Sequence, residues 1–189
     1  MIYYISDMHF GHNNVMRYDK RPFDTVTRMD ETLVNNWNAR VSGEDTVYVI
    51  GDAFFKGEER SLEILRRLNG KKHLIKGNHD RVKGRLGQEW ESVADYAEIT
   101  DGETFVVLSH YPMLFYNRQH YGAVMLYGHV HNTCEWELIE KWKQELRQLD
   151  VPARIINVGC MMDYMNYAPR TLDELLAANP SPDKTEESK

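Results

Sequence analysis

Residues 2–9 read Ile2-Tyr3-Tyr4-Ile5-Ser6-Asp7-Met8-His9, a short apolar run followed at once by a carboxylate and an imidazole two positions apart. The same arrangement recurs four more times along the chain. The run 47–50 leads into Gly51-Asp52, 73–75 into Gly77-Asn78-His79-Asp80, 105–108 into His110, and 124–127 into Gly128-His129-Val130-His131. Runs of this length and β-branched or aromatic content read as buried strands. Each therefore delivers a metal-loving side chain to a strand end.

Between and after these runs the apolar period changes from strand to helix. Residues 30–40 place Leu33, Val34 and Trp37 on one face, and 61–68 set Leu62, Leu65 and Leu68 at helical spacing before the stop signal Asn69-Gly70. Residues 137–149 predict a charged surface helix with Leu138, Trp142, Leu146 and Leu149 as its apolar stripe, unless its first residues continue a strand from Thr133. A further strand is expected over 154–158. A last helix is expected over 171–178, opened by the capping box Thr171-Leu172-Asp173-Glu174. Strands alternating with helices define an α/β fold. Residues 1–178 read as one domain and 179–189, with Pro180, Pro182 and a run of charged and small residues, as a mobile tail.

Composition narrows the function classes. With 42% apolar and 11% aromatic residues in 189, the chain can bury a substantial core. A net charge of -6 argues against general polyanion binding, which needs a basic face. Two cysteines, Cys134 and Cys160, form no disulfide framework or zinc knuckle and read as free buried thiols in a reducing compartment. No basic leader precedes residue 2 and no run approaches the roughly 18 apolar residues of a membrane span. A soluble, cytoplasmic protein without membrane partners is expected.

The strand-end side chains have a shared chemistry. Asp7 and His9, two apart, would point the same way if the strand continued, so that one carboxylate and one imidazole meet a metal together. Asp52 after Gly51 is a carboxylate left exposed at a strand end and able to bridge two cations. Asn78 adds a neutral oxygen and His110, His129 and His131 add nitrogens, a mixed set suited to manganese, iron, zinc, cobalt or nickel and not to calcium alone. Any one of these residues has an ordinary structural explanation as a turn, cap or hydrogen-bonded histidine. The ordered set does not.

Taken together, Asp7-Met8-His9, Gly51-Asp52, Gly77-Asn78-His79-Asp80, His110 and Gly128-His129-Val130-His131 resemble the calcineurin-like metallophosphoesterase superfamily, and a small bacterial and phage-type branch of it. The resemblance implies a four-layer α/β/β/α sandwich of two mixed β-sheets flanked by helices, with all ligands on loops at one edge. It implies two divalent metal ions, Mn2+ first among them. Asp7, His9 and His131 would hold one, Asn78, His110 and His129 the other, and Asp52 would bridge them. His79 would be the general acid, with Asp80 orienting its ring, in a phosphohydrolase that attacks a phosphodiester or phosphomonoester with a metal-bridging hydroxide. The second motif continues as Asp52-Ala53-Phe54-Phe55 and lacks the Asp-Arg-Gly of the protein-phosphatase branch, which speaks against phosphoprotein substrates.

A small phosphoester, nucleotides included, is the expected substrate, with His12, Arg17 and Arg21 as candidate phosphate contacts. The cluster Lys71, Lys72, Lys76, Arg81, Lys83 and Arg85 around the Gly-Asn-His-Asp motif would steer anions towards it. Two other classes compete: a nuclease, supported only by that basic cluster, and a metal-binding scaffold without catalysis, for which His79 would have no chemical purpose. Oligomeric state is not legible.

Overall fold

The computed structural model describes residues 1–55 and 57–180. Most of the expected tail, residues 181–189, lies outside the described residues. Two four-stranded sheets make the framework. The first runs β1 (Ile2–Ile5), β2 (Thr46–Ile50), β3 (Lys71–Ile75) and β4 (Ser92–Ala94), in that spatial order and all parallel. The second runs β5 (Tyr96–Asp101), β6 (Thr104–Ser109), β7 (Val124–Tyr127) and β8 (Ile155–Asn157), with β5 and β6 antiparallel and the rest parallel. The second sheet is mixed through β5, and the first, whose four strands run parallel, carries an antiparallel bridge between Tyr4 of β1 and Arg170.

The α/β/β/α layering follows from the alternation of side chains along the strands. In the second sheet Val106, Leu108, Val124, Leu126 and Ile156 join one large core cluster with the first sheet and with Met29, Leu33 and Trp37 of α2 (Val26–Asn38) and Leu62, Ile64 and Leu65 of α3 (Glu58–Arg67). The alternate residues Val107, Met125, Tyr127 and Ile155 form a separate cluster with Ile139 and Leu146 of α5 (Cys134–Gln148). Two short helices, α1 (Val15–Tyr18) and α4 (Gly84–Gln88), and a closing α6 (Leu172–Ala178) complete the set. The capping box opening α6 is present, with Thr171 and Glu174 each bonding the other's backbone.

The sheets are joined where the site will be. Beyond β1 the chain pairs with the end of β8: Ser6 N–H donates to Val158 O at 2.8 Å and Cys160 N–H to Ser6 O at 2.9 Å. On its other side it tracks the end of β2, with Asp7 N–H to Gly51 O and His9 N–H to Asp52 O, both at 3.0 Å. The C-terminal ends of β1, β2 and β8 thus converge, the usual place for ligands in parallel α/β sheets.

Three expectations need correction. The apolar stripe of α5 is rotated, because Leu138, Trp142 and Leu149 are exposed (42%, 37% and 74%) while Ile139, Lys143 and Leu146 are buried. Two stripes on this helix satisfy the 3.6-residue period, and packing against the second sheet chooses between them. The helix starts at Cys134 with Thr133 as its cap, so no strand continues there. Cys160 is buried but Cys134 is exposed. Among the described residues no helix is long and apolar enough to cross a membrane.

Trp37 is completely buried and donates its indole N–H to Asn69 O at 2.9 Å, tying α2 to the end of α3. Trp37→Ala should lower unfolding free energy by roughly 3–5 kcal/mol in a denaturant titration.

Candidate metal centre

Five of the candidate ligands sit in left-handed backbone conformation: Asp7 (φ 53°), His9 (50°), Asp52 (52°), His129 (72°) and His131 (51°). For residues with a Cβ this region costs on the order of 1–3 kcal/mol each and persists only where the surroundings enforce it. The strand does not continue through Asp7 and His9, as their two-residue spacing suggested. Repeated left-handed turns aim them instead.

What enforces these turns is a set of carboxylate-to-amide bonds between strand ends. Asp7, fully buried, accepts from Ser6 Oγ at 2.6 Å and from the His129 N–H at 3.1 Å to each oxygen, linking β1 to β7 across the two sheets. Asp52 Oδ1 accepts the His79 N–H at 2.9 Å, linking β2 to the loop after β3. Asp80 returns the link: its oxygens accept the N–H groups of Gly77 and Asp52 at 2.8 Å and of Ala53 at 3.0 Å. Asp80 is therefore spent on backbone amides, and among the described residues no hydrogen bond joins it to the His79 ring. The expected role of orienting that ring is corrected on this ground. Gly77 is required where it stands, since a Cβ would lie 2.6 Å from the Asp52 amide nitrogen and overlap its carboxylate.

The side chains so placed converge on two adjacent points. At one, His9 Nε2 and His131 Nε2 face each other at 3.2 Å, and His131 Nε2 is 3.5 Å from Asp7 Oδ1. At the other, Asn78 Oδ1 is 3.2 Å from His110 Nε2 and 3.0 Å from His129 Nδ1. Asp52 Oδ2 lies between the two points, 3.6 Å from His9 Nε2 and 3.5 Å from His110 Nε2. Ligands that share a cation at bond lengths of about 2.0–2.2 Å stand roughly 3.0–3.5 Å apart. The donor set and its spacing fit divalent metals, and Asp7, His9 and His131, like Asp7, Asp52 and His110, form groups able to hold one.

Behind the ligands a buried network fixes ring orientations. His110 Nδ1 donates to Ile50 O at 3.0 Å, which turns Nε2 towards the site. His131 Nδ1 bonds Asp19 Oδ1 at 2.7 Å, and Asp19 Oδ2 takes the Arg21 guanidinium at 2.9 and 2.7 Å. Arg21 also donates to Met8 O and Asp7 O, at 3.0 and 2.8 Å. It has no surface left for a phosphate, so its expected substrate contact is corrected: it holds the ligand loop from behind. Arg17 is exposed, with its guanidinium over the Tyr18 ring, and does not reach the metal cleft. His12 does. It lines a cleft of about 390 Å³ with His9, Asp52, His79, His129 and His131, and stacks on Phe55 at 3.7 Å. Of the basic cluster, Lys76 pairs with Asp95, Arg85 with Glu59, and Lys72 donates to the Leu68 and Gly70 carbonyls.

The electrostatics follow from burial against charge. Burial dominates at His9, whose pKa falls to about 3, and it also lowers His129 and His12, leaving those rings neutral. Burial would lower His131 too, but bonding to Asp19 and Asp7 pushes it up to about 10. At His110 burial is likewise outweighed, by Asp52 and Asp7, and the pKa is raised. Asp7 and Asp52 resist burial through the imidazoles around them and are lowered. Burial raises Asp80 despite its three amides.

Asp19 and Asn157, whose Nδ2–H holds the His131 carbonyl at 2.8 Å, escaped the sequence reading. Neither follows a strand-end motif; an acid two residues before Arg21 was the only available hint for Asp19.

Comparison with known proteins accords with this geometry. The model for the calcineurin-like phosphoesterase superfamily domain matches residues 1–173. An uncharacterized protein of Methanocaldococcus jannaschii is 33% identical over 91% of this chain and 87% of its own. The gene 66 protein of Mycobacterium phage L5 is 28% identical over 87% of this chain and 94% of its own. The crystal structure of a protein of unknown function from Aquifex aeolicus aligns with a TM-score of 0.70 at 24% identity, covering 94% of this chain and 98% of that one, and shares the fold.

Two outcomes are expected. Asp80→Asn presents an amide where three backbone donors need an acceptor, and should weaken metal binding by about 10–100-fold in a chelator competition. The proton on His131 is held between its ordinary pKa of 6.5 and about 10 in the protein alone, and a cation must displace it. Apparent metal affinity should therefore rise with pH across that window. Calorimetry in buffers of different ionisation heat should show proton release on loading, reduced in Asp19→Asn.

Proposed function

Because the chain belongs to the calcineurin-like phosphoesterase superfamily, we propose that it is a hydrolase that uses two divalent metal ions, Mn2+ with Fe, Zn, Co or Ni as substitutes, to cleave a small phosphoester. The observation that carries this reading is the placement of Asp52 Oδ2, 3.6 Å from His9 Nε2 and 3.5 Å from His110 Nε2, one carboxylate oxygen facing both ligand groups. Asp7, His9 and His131 would hold one ion, Asn78, His110 and His129 the other, and Asp52 would serve both. Two bound ions would supply charge neutralisation of the phosphoryl group and a water acidic enough to attack it in line.

The chain's own residues do the rest. His79 is exposed on the cleft wall, its ring 5.5 Å from that of His9 and 5.6 Å from that of Phe55, while its amide is tied to Asp52. A side chain anchored by its backbone to the Asp52 carboxylate and open to the cleft can follow the leaving oxygen. As an imidazolium it neutralises charge on the phosphoryl group, and as the P–O bond breaks it gives a ring proton to the departing oxygen. His12, stacked on Phe55, lines the same cleft and narrows the space through which the ester enters.

His79→Ala should lower kcat by about 10²–10⁴-fold on an alkyl phosphoester and less on p-nitrophenyl esters, whose leaving group needs no proton. Its metal content and circular dichroism should match wild type. Asp52→Asn should instead reduce the metal bound per chain. Equal loss on both leaving groups in His79→Ala would remove the acid role.

A further inference from the structure

We infer that the cavity on the far side of His79 is a leaving-group pocket for an organic moiety that combines a planar ring with a second negative charge, as a nucleotide does. The inference rests on the phosphohydrolase reading above and extends it to a substrate class. The cavity encloses about 550 Å³, inside the roughly 300–1,000 Å³ range of small-molecule sites. It shares Phe55, Asn78 and His79 with the metal cleft, so the two spaces meet across the side chain that would protonate the leaving oxygen. Whatever departs from phosphorus departs on this side.

The walls divide by chemistry. Phe54, Leu74, Leu86 and Trp90 make an apolar floor, with the Phe54 and Trp90 rings edge to face at 6.4 Å. Phe55 stands at the junction, 46% exposed despite its size, one face against His12. An exposed phenyl ring beside the reacting centre offers stacking to a planar group. The rim carries Arg81 and Lys83, both exposed and, among the described residues, without an ion pair, whereas Lys76 and Arg85 beside them are paired with Asp95 and Glu59. The acids of the same wall are engaged: Glu58 Oε1 accepts the Arg85 N–H at 2.9 Å, and Asp80 is bound to its three amides. Two uncommitted cations over an aromatic floor, in a chain of net charge -6, match a ring that carries its own phosphate.

The test uses the full chain loaded with manganese and two substrates that differ only beyond the scissile ester: thymidylyl-thymidine, and the same dinucleotide bearing a terminal phosphate. In wild type the phosphorylated dinucleotide should have the higher kcat/KM by about tenfold or more, the value of one charge-assisted contact. In the double variant Arg81→Ala/Lys83→Ala that ratio should fall to near one. Binding of thymidine 3′,5′-bisphosphate, followed by calorimetry without turnover, should weaken by a similar factor. An unchanged ratio, or bisphosphate binding equal in both proteins, would overturn the pocket. Turnover of bis(p-nitrophenyl) phosphate with no bisphosphate binding would overturn the pocket and leave the hydrolase standing. Bisphosphate binding that depends on Arg81 and Lys83 without cleavage of any phosphoester would support the pocket and remove the hydrolase.

Discussion

Carboxylates bonded to backbone amides across strand ends are the constraint on which this structure depends. Asp7 reaches from the first sheet to the His129 amide of the second, Asp52 to the His79 amide, and Asp80 back to the amides of Asp52 and Ala53. Each bond couples a charged acceptor to a donor that no strand partner satisfies, so each is stronger than a neutral hydrogen bond and costly to leave unmade. Together they hold five left-handed turns that would otherwise relax, and the turns aim imidazoles and carboxylates at two adjacent points. The same carboxylates that would meet the metals thus shape the loops that present the other ligands. Folding and the proposed metal chemistry share their atoms here.

The buried pair behind the site has a related role. Asp19 divides its carboxylate between His131 and Arg21, and Arg21 in turn bonds the carbonyls of Asp7 and Met8. A charge that deep is tolerated only with all its partners in place. The arrangement gives His131 a fixed ring and a basic Nε2, which suits a ligand and also makes the proton a competitor of the cation.

Much of this was legible in the chain. The five strand ends stand where residues 2–9 and their four counterparts place them, because a buried strand needs an apolar run and a ligand needs a loop just beyond it. The two strands that escaped notice, β4 and β5, are sheet edges. β5 reads Tyr-Ala-Glu-Ile-Thr-Asp and alternates exposed with half-buried residues, a weaker apolar signal than a central strand gives. Its one clear marker was the Asp101-Gly102 turn, where Gly102 takes a φ of 58°. At the site, residue identity named the candidate ligands, which the structure brings together, but not the wiring behind them. Arg21 was assigned to substrate from its place in the loop and Asp80 to the His79 ring by resemblance, whereas the structure gives Asp80 to backbone amides and Arg21 to Asp19 and two backbone carbonyls. Hydrogen-bond partners far apart in sequence leave no periodic trace, so Asp19, 112 residues from His131, could not be paired with it beforehand.

The central claim is that seven side chains, held by carboxylate-to-amide bonds, make two metal sites sharing Asp52. It is tested most directly by counting metal in the protein, by elemental analysis of chelator-stripped chain reloaded with manganese and freed of excess. The account predicts two ions per chain in wild type and fewer in Asp52→Asn. One ion or none in a folded wild-type chain would contradict it.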